Sequence, residues 1–375
     1  MAILVTGATG IVGCELVAAL LNIPGGPSVH ALVRGDVATA AAKERWLRNR
    51  LGNSADGRLI VEVGDCEIEG FGLSSEAHRR VEKEVTGILH AAANTAFDLS
   101  PDKAFAANVL GTRNALNLAR SLRHLERFGF VSSAYIAGTR SGVILEDGAC
   151  LDAGFDNEYE RSKATAESEV LASGLPAATY RLGIVVGRAT DGVVSRMTGG
   201  AYLLMRLVQD GLIALYPSGE GQTVDMLPVD FASSAVVHLF CSARPASSIY
   251  HVCAGRNGAI TTTEFFATLV EALCAADPQW TTQGYPSPTG APVEALRAFR
   301  KTVELVGHPR LKAVVRRVDQ CVRPVEVAKS FDTRAFTEGL TGSGLSLPLF
   351  SAYFPRVVAH AVRNNFRVTR QPWED

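Results

Sequence analysis

Residues 2–13 read AILVTGATGIVG, a short apolar run directly followed by three glycines spaced three apart, Gly7, Gly10 and Gly13. A residue without a Cβ is needed where a backbone turns tightly or a ligand approaches it closely. Val12, Leu16, Val17, Leu20 and Leu21 then recur at helical spacing, and PGGP at 24–27 closes that helix. A strand, a Gly-rich turn and a helix amino terminus together form an anion site, because free main-chain N–H groups and the helix dipole both face it. The competing reading of the same residues is a turn that needs glycine only for packing.

The pattern repeats along the first half of the chain. SVHALVR (28–34), LIVEVGD (59–65), GILHAAA (87–93), FGFVSSA (128–134) and ATYRLGIVVG (178–187) read as strands, with helical stretches in each gap. Alternating strands and helices, with strands apolar throughout, predict a parallel sheet covered on both faces. After Gly187 the alternation loosens. A helical run, GAYLLMRLVQDGL (200–212), and a turn, PSGEG (217–221), precede one more core strand at YHVCAG (250–255); a Pro/Gly-rich joint, PSPTGAP (286–292), opens a late helical region. The expected organisation is a dinucleotide-binding core at 1–187 and 223–258, with a smaller, mainly helical lobe at 188–222 and 259–375 covering the carboxyl ends of the strands.

Composition narrows the function classes. A net charge of −1 over 375 residues provides no general attraction to nucleic acid or a membrane surface. Seven scattered cysteines without a CxxC pair fit free thiols in a reducing cytoplasm, and the eight histidines form no HExxH or cluster with cysteine, so no metal site is expected. No apolar run reaches the ~18 residues of a membrane span. The amino terminus has no basic region ahead of its apolar residues, so no signal peptide is expected there. Neither GxSxG nor a Cys/His signature is present, which argues against nucleophilic hydrolysis. One region departs from the neutral average: between Glu294 and Arg334 ten basic residues face five acidic ones, a balance of +5.

Two further constellations carry chemistry. The second strand ends in Arg34, where an acidic residue would bind a ribose 2′-hydroxyl and an arginine suits a 2′-phosphate. Arg34 favours NADP(H); a solvated Arg34, with Asp36 reaching the ribose, is the alternative. In NEYERSKATAE, Tyr159 and Lys163 stand at i and i+4 on one helical face. An ammonium beside a phenol stabilises the phenolate, so the tyrosine is expected to shuttle a proton near neutrality. This pair follows a strand that ends in Ser132-Ser133, whose hydroxyls can bond the same substrate carbonyl. A chance surface pair is the bland reading of YxxxK taken alone.

TGATGIVG, GD at 64–65, HAAAN at 90–94, NVLGT at 108–112, FVSSAYIAG at 130–138 and YERSK at 159–163 together resemble the extended short-chain dehydrogenase/reductases, and the likeness extends to about residue 270. It implies a doubly wound, Rossmann-type α/β fold binding NADP(H). Gly7, Gly10 and Gly13 would cradle the pyrophosphate with Thr9, Ile11 and Val12 of the same turn; Asp65 and Cys66 would flank the adenine; Ala91, Ala92 and Ala93 would line the cofactor. Tyr159 would be the acid, Lys163 its partner and a ribose ligand, and Ser133, which directly precedes AYIAG, the carbonyl-binding hydroxyl. Asn108 would stand beside the cofactor, chiefly fixing local structure. VRGDVATAAAKERWL, GDCEIEGFGLSSE, FDNEYERSKATAE and GEGQTVDMLPVDFAS further resemble the thioester reductase branch: the terminal reductase domains of peptide and polyketide synthetases, carboxylic acid reductases and fatty acyl-CoA reductases. The usual proline of that branch's RPGIVVG-like strand is Leu182 here. The implied activity is NADPH-dependent reduction of an acyl thioester, on a carrier protein or coenzyme A, to an aldehyde or on to an alcohol. Action on a ketone, sterol or sugar-nucleotide carbon is a second reading. A non-catalytic dinucleotide-sensing regulator is a third, which the presence of Tyr159 and Lys163 disfavours.

Overall fold

A computed structural model describes residues 1–52, 57–242, 247–285 and 287–367. Pro286 of the expected joint and residues 368–375 of the expected lobe lie outside the described residues. Seven strands form the main sheet: β1 (Ala2–Thr6), β2 (Ser28–Val33), β3 (Leu59–Val63), β4 (Val85–His90), β5 (Arg127–Ser133), β6 (Ala177–Leu182) and β7 (Ile249–Val252). Their order is β7-β6-β5-β4-β1-β2-β3, and every neighbouring pair is parallel. The order reverses between β1 and β4, so the helices that follow these two strands leave on opposite faces and open a crevice at their carboxyl ends.

All five residues of β1 are buried, as a parallel strand covered on both faces requires. On one face α1 (Ile11–Leu21) lies against the sheet with Leu16, Val17, Leu20 and Leu21, each contributing about 1.5–3 kcal/mol by leaving water. On the other, Val81 of α3 (Ser75–Glu84), Leu116 and Leu118 of α4 (Gly111–Ser121) and Val170 of α5 (Glu158–Leu171) pack with Phe128 and Phe130 of β5. The turn before α4, Phe105–Leu110, is π-helical, and it places Asn108 indoors.

The stretch 178–187, read as one strand, is two. It breaks at Gly183, where a Cβ would stand 2.6 Å from the Asp225 carboxylate, and Ile184–Val186 leaves the sheet to pair with Met226–Pro228. That break directs the chain into a second apolar cluster, built from α6 (Gly200–Gln209), α8 (Thr262–Ala276), the end of α10 (Pro309–Val322) and α11 (Phe350–Arg363). Thr289–Ala291, within the expected joint, is a short strand beside Leu215–Pro217. Between these lobe elements the chain returns to the core: Lys329–Phe331 pairs with Gly142–Ile144, and Phe336 packs on the sheet side. No helix among the described residues is long and apolar enough to cross a membrane.

Candidate active site

A cleft of about 1400 Å³ runs from the carboxyl ends of β1 and β2 across the sheet and into the helical lobe. Every site residue proposed from the sequence lines it except Asn108 and the alternative ribose ligand Asp36.

At its floor, Gly7 takes φ +68°, and a Cβ there would stand 2.8 Å from both the Ala91 carbonyl oxygen and the Ala92 nitrogen. A Cβ on Gly13 would stand 2.0 Å from the Gly7 carbonyl oxygen. The turn and the first coil of α1 therefore touch main chain to main chain. Gly10, at the head of α1, brings no side-chain cap, so the first amides of the helix face the cleft. This cradle fits a dinucleotide pyrophosphate: glycine where a side chain would fill the space, and uncapped donors at a helix N-terminus.

Thr6 ties this turn to the neighbouring strand. Its hydroxyl accepts from the amides of Ala91 and Ala92, both at 3.1 Å, and meets His90 Nδ1 at 2.8 Å. His90 Nε2 meets the Thr112 hydroxyl at 3.2 Å, which in turn donates to the Asn108 carbonyl at 2.6 Å. Burial, with the Lys163 charge nearby, holds the His90 imidazole down at about 3, neutral across the physiological range. The Asn108 side chain accepts from the Asn94 amide at 2.8 Å and donates to the Asn94 carbonyl and the Ser162 hydroxyl at 3.1 and 2.9 Å. Asn108 thus binds the loop after β4 to helix α5, behind the cleft wall.

At the carboxyl ends of β2 and β3 Arg34, Asp65 and Cys66 come together with two residues not anticipated, Lys43 and Glu67. Arg34 pairs with Asp65 Oδ2 at 3.0 Å and Glu67 Oε1 at 2.8 Å, and Lys43 Nζ donates to the Arg34 carbonyl at 2.5 Å. Asp36 is used otherwise: its carboxylate caps α2 (Val37–Leu51), accepting from the Thr39 amide at 2.8 Å, and that bond lowers its pKa. The Cys66 thiol is buried and pushed up to about 12.

Ser133, Tyr159 and Lys163 line the middle of the cleft. Ser133 ends β5, with its hydroxyl accepting from the Tyr135 amide at 3.2 Å. Asn157 caps α5 and so sets the phase of Tyr159 and Lys163, in its first and second turns. The expected depression of the Tyr159 phenol by Lys163 is not present. Burial pushes the phenol up to about 12, against a downward pull from the Ser133 hydroxyl, while burial pushes the Lys163 ammonium down to about 7. The reason is geometric: Lys163 Nζ donates to the Val131 carbonyl at 2.7 Å and lies 3.9 Å from the Phe130 ring centre. Tyr159 is therefore a neutral hydroxyl donor at pH 7. Beside it Glu160, also unanticipated, lines the cleft with a buried carboxyl that burial raises to about 7. In the helical lobe the lining includes the apolar Met197, Leu204, Phe265 and Phe266, together with Arg316 and Arg317 of α10.

The chain belongs to the male sterility protein family of NAD-binding domains, whose model matches residues 5–236. It is 27% identical over 268 residues to the non-canonical nonribosomal peptide synthetase FrzA of Cladobotryum sp, covering 67% of this chain and 26% of that protein. It is 24% identical over 278 residues to the fatty acyl-CoA reductase wat of Drosophila melanogaster, covering 63% and 53%. The chain thus spans about a quarter to a half of the length of these curated relatives. Its fold matches the terminal R domain from the myxalamid PKS-NRPS biosynthetic pathway with a TM-score of 0.77 at 24% identity, covering 99% of this chain and 92% of that one.

Proposed function

We propose that this member of the male sterility protein family reduces an acyl thioester to an aldehyde, with NADPH as the reductant and Ser133, Tyr159 and Lys163 as the reacting group. The observation that carries this reading is the continuity of one cleft, from the glycine cradle past these three residues into an apolar lobe. The relatives' names, a nonribosomal peptide synthetase and a fatty acyl-CoA reductase, point to acyl groups held as thioesters. Residues 1–187 and 223–258 would serve the dinucleotide, and 188–222 and 259–375 the acyl group.

The cofactor would lie on Gly7, Thr9, Gly10, Ile11, Val12 and Gly13, with its adenosine end toward Arg34, Asp65 and Cys66 and Ala91 to Ala93 along its side; bound there, it supplies a hydride. The chain's own residues do the rest. The Ser133 and Tyr159 hydroxyls donate to the thioester oxygen as it gains negative charge, and one such donor is worth about 10²–10³ in rate. Tyr159, whose phenol burial holds further above its already high ordinary pKa and which is protonated at pH 7, then gives its proton to that oxygen. The resulting thiohemiacetal breaks its C–S bond: the hydroxyl proton leaves with the sulfur as a thiol, and the carbon becomes the aldehyde. Lys163, on the same helical face, would return a proton to the phenolate by giving up its bond to the Val131 carbonyl. The apolar lining keeps water from the carbonyl while the acyl chain lies against Phe265 and Phe266.

The test follows NADPH and NADH oxidation with a panel of acyl-CoAs, acyl-carrier proteins and simple ketones. The reading expects thioesters to be turned over with release of free thiol. Faster turnover of ketones, with no thiol released, would replace it with the carbonyl-dehydrogenase reading.

A further inference from the structure

Arg34 and its two acidic partners come from different strands: the cation ends β2, and Asp65 and Glu67 follow β3. Their meeting is built rather than accidental. Gly64 N donates to the Val33 carbonyl at 3.0 Å, which aligns the two strand ends. The Asp65 carboxylate accepts from the Glu67 amide at 3.0 Å, which fixes the turn that presents Glu67. Lys43, buried along its stem, holds the Arg34 carbonyl. The corner of the cleft therefore holds two cations and two carboxylates and is electrically balanced. A 2′-phosphate brings about −1.5 to −2 charges to this corner, whereas a 2′-hydroxyl brings none.

We infer that Glu67 is the specificity-determining residue that limits selectivity for the 2′-phosphate, by occupying the Arg34 guanidinium that would otherwise bind it. The inference rests on the reading of Arg34 as the 2′-phosphate ligand. Each charge-assisted contact that Arg34 makes to a phosphate must displace one it already makes to a carboxylate. Binding of the 2′-phosphate then gains only the difference between the two, so the chain discriminates NADPH from NADH weakly for one that carries an arginine at this position. Glu67 is the freer partner, because Asp65 also closes its own turn. Glu67→Gln keeps the shape and the hydrogen-bonding reach and removes the charge.

The experiment is calorimetric titration of the whole chain with adenosine 2′,5′-bisphosphate against 5′-AMP, and with NADPH against NADH, for wild type, Arg34→Ala, Glu67→Gln and the double variant. Melting temperatures establish that each variant is folded. Glu67→Gln is expected to raise the affinity ratio favouring the 2′-phosphate by about 3- to 10-fold, with the 5′-AMP and NADH values unmoved. Arg34→Ala should collapse the ratio, and adding Glu67→Gln to it should restore nothing. If Arg34→Ala lowers the ratio but Glu67→Gln leaves it alone, the inference fails and Arg34 keeps its assignment. If Arg34→Ala leaves the ratio unchanged, the assignment itself fails and the inference with it. A gain from Glu67→Gln that persists without Arg34 means simple repulsion and overturns competition for the guanidinium.

Discussion

Lys163 and Val131 are joined by a 2.7 Å hydrogen bond from the buried ammonium to a main-chain carbonyl of β5, so the helix that carries Tyr159 is fastened to the strand that carries Ser133. The bond explains why the lysine stays with the sheet and away from the phenol. Burial of that ammonium makes the site's charge state a matter of pH within the working range.

That charge state predicts a stability profile. Burial lowers the Lys163 pKa from its ordinary 10.5 to about 7, so between these values the unfolded chain binds the proton and the folded chain does not. The stabilising contribution is present above 10.5 and is lost as pH falls through 7. Wild type should therefore gain stability relative to Lys163→Met as pH rises from 7 toward 10.5, with a limiting slope of about 1.4 kcal/mol per pH unit. Paired urea titrations across that range measure it; a parallel profile for the two proteins would refute it.

Tyr159→Phe removes one hydroxyl and keeps the ring. Folding and dinucleotide affinity should persist while turnover falls by about 10²–10⁴-fold, the usual worth of a general acid. Single-turnover rates with a fixed thioester provide the comparison, and a variant retaining most of its activity would remove Tyr159 from the mechanism.

Gly13→Ala places a Cβ 2.0 Å from the Gly7 carbonyl oxygen, so the turn must move. We expect a stability loss of about 1–3 kcal/mol or more, and failure to bind either dinucleotide. Gly148→Ala, whose Cβ would meet nothing within 4 Å, is the control. Equal effects of the two substitutions would show that the close approach is unimportant.

Asn108→Ala removes the side-chain partner of the Asn94 amide and carbonyl and one of two bonds of the Ser162 hydroxyl, which keeps its bond to the Tyr159 carbonyl. A buried polar group so orphaned costs about 1–3 kcal/mol. Because Asn108 holds α5 in place without lining the cleft, kcat should fall further than dinucleotide affinity. Combination with Ser162→Ala should be less than additive, and a double-mutant cycle tests this.

The basic stretch 294–334 provides the last prediction. Half of its cations are paired: Arg297 with Glu326, Arg300 with Asp319 and Glu326, Arg316 with Glu304, Arg323 with Asp156 and Asp319, and Arg334 with Asp332. Arg317, exposed on α10 where that helix lines the cleft, has no acidic partner among the described residues. Arg317→Glu should raise KM for a carrier-bound thioester more than for a short neutral one, and the wild-type preference should fade with salt, since the Debye length is about 8 Å at 0.15 M. Identical responses of both substrates would dismiss electrostatic docking.

These particulars mark what could be read before the fold was known. The strands were legible because parallel strands buried on both faces are apolar throughout, and Tyr159 with Lys163 because i, i+4 spacing maps directly onto a helix face. Thr6 and His90 were not, since their bond joins residues 84 apart. The partners of Arg34 were hidden for the same reason, and so was the lysine's attachment to a carbonyl instead of the phenol. The break at Gly183 was invisible because the Asp225 carboxylate that requires it comes from another segment. The balance of +5 survives as a sum, but its meaning changed once the structure set half of those cations beside anions.

The π-helical turn at Phe105–Leu110 separates two properties that most insertions and deletions affect together. Such a turn is an α-helix carrying one surplus residue. Shortening the chain by one residue there would let the turn relax to ordinary helix while α4 kept its buried face on the sheet. The fold would tolerate the deletion, and Asn108 would lose its place against Asn94 and Ser162. At this point chain length encodes chemistry rather than architecture, so homologues one residue shorter at this turn would be expected to fold alike and to organise their site by other means.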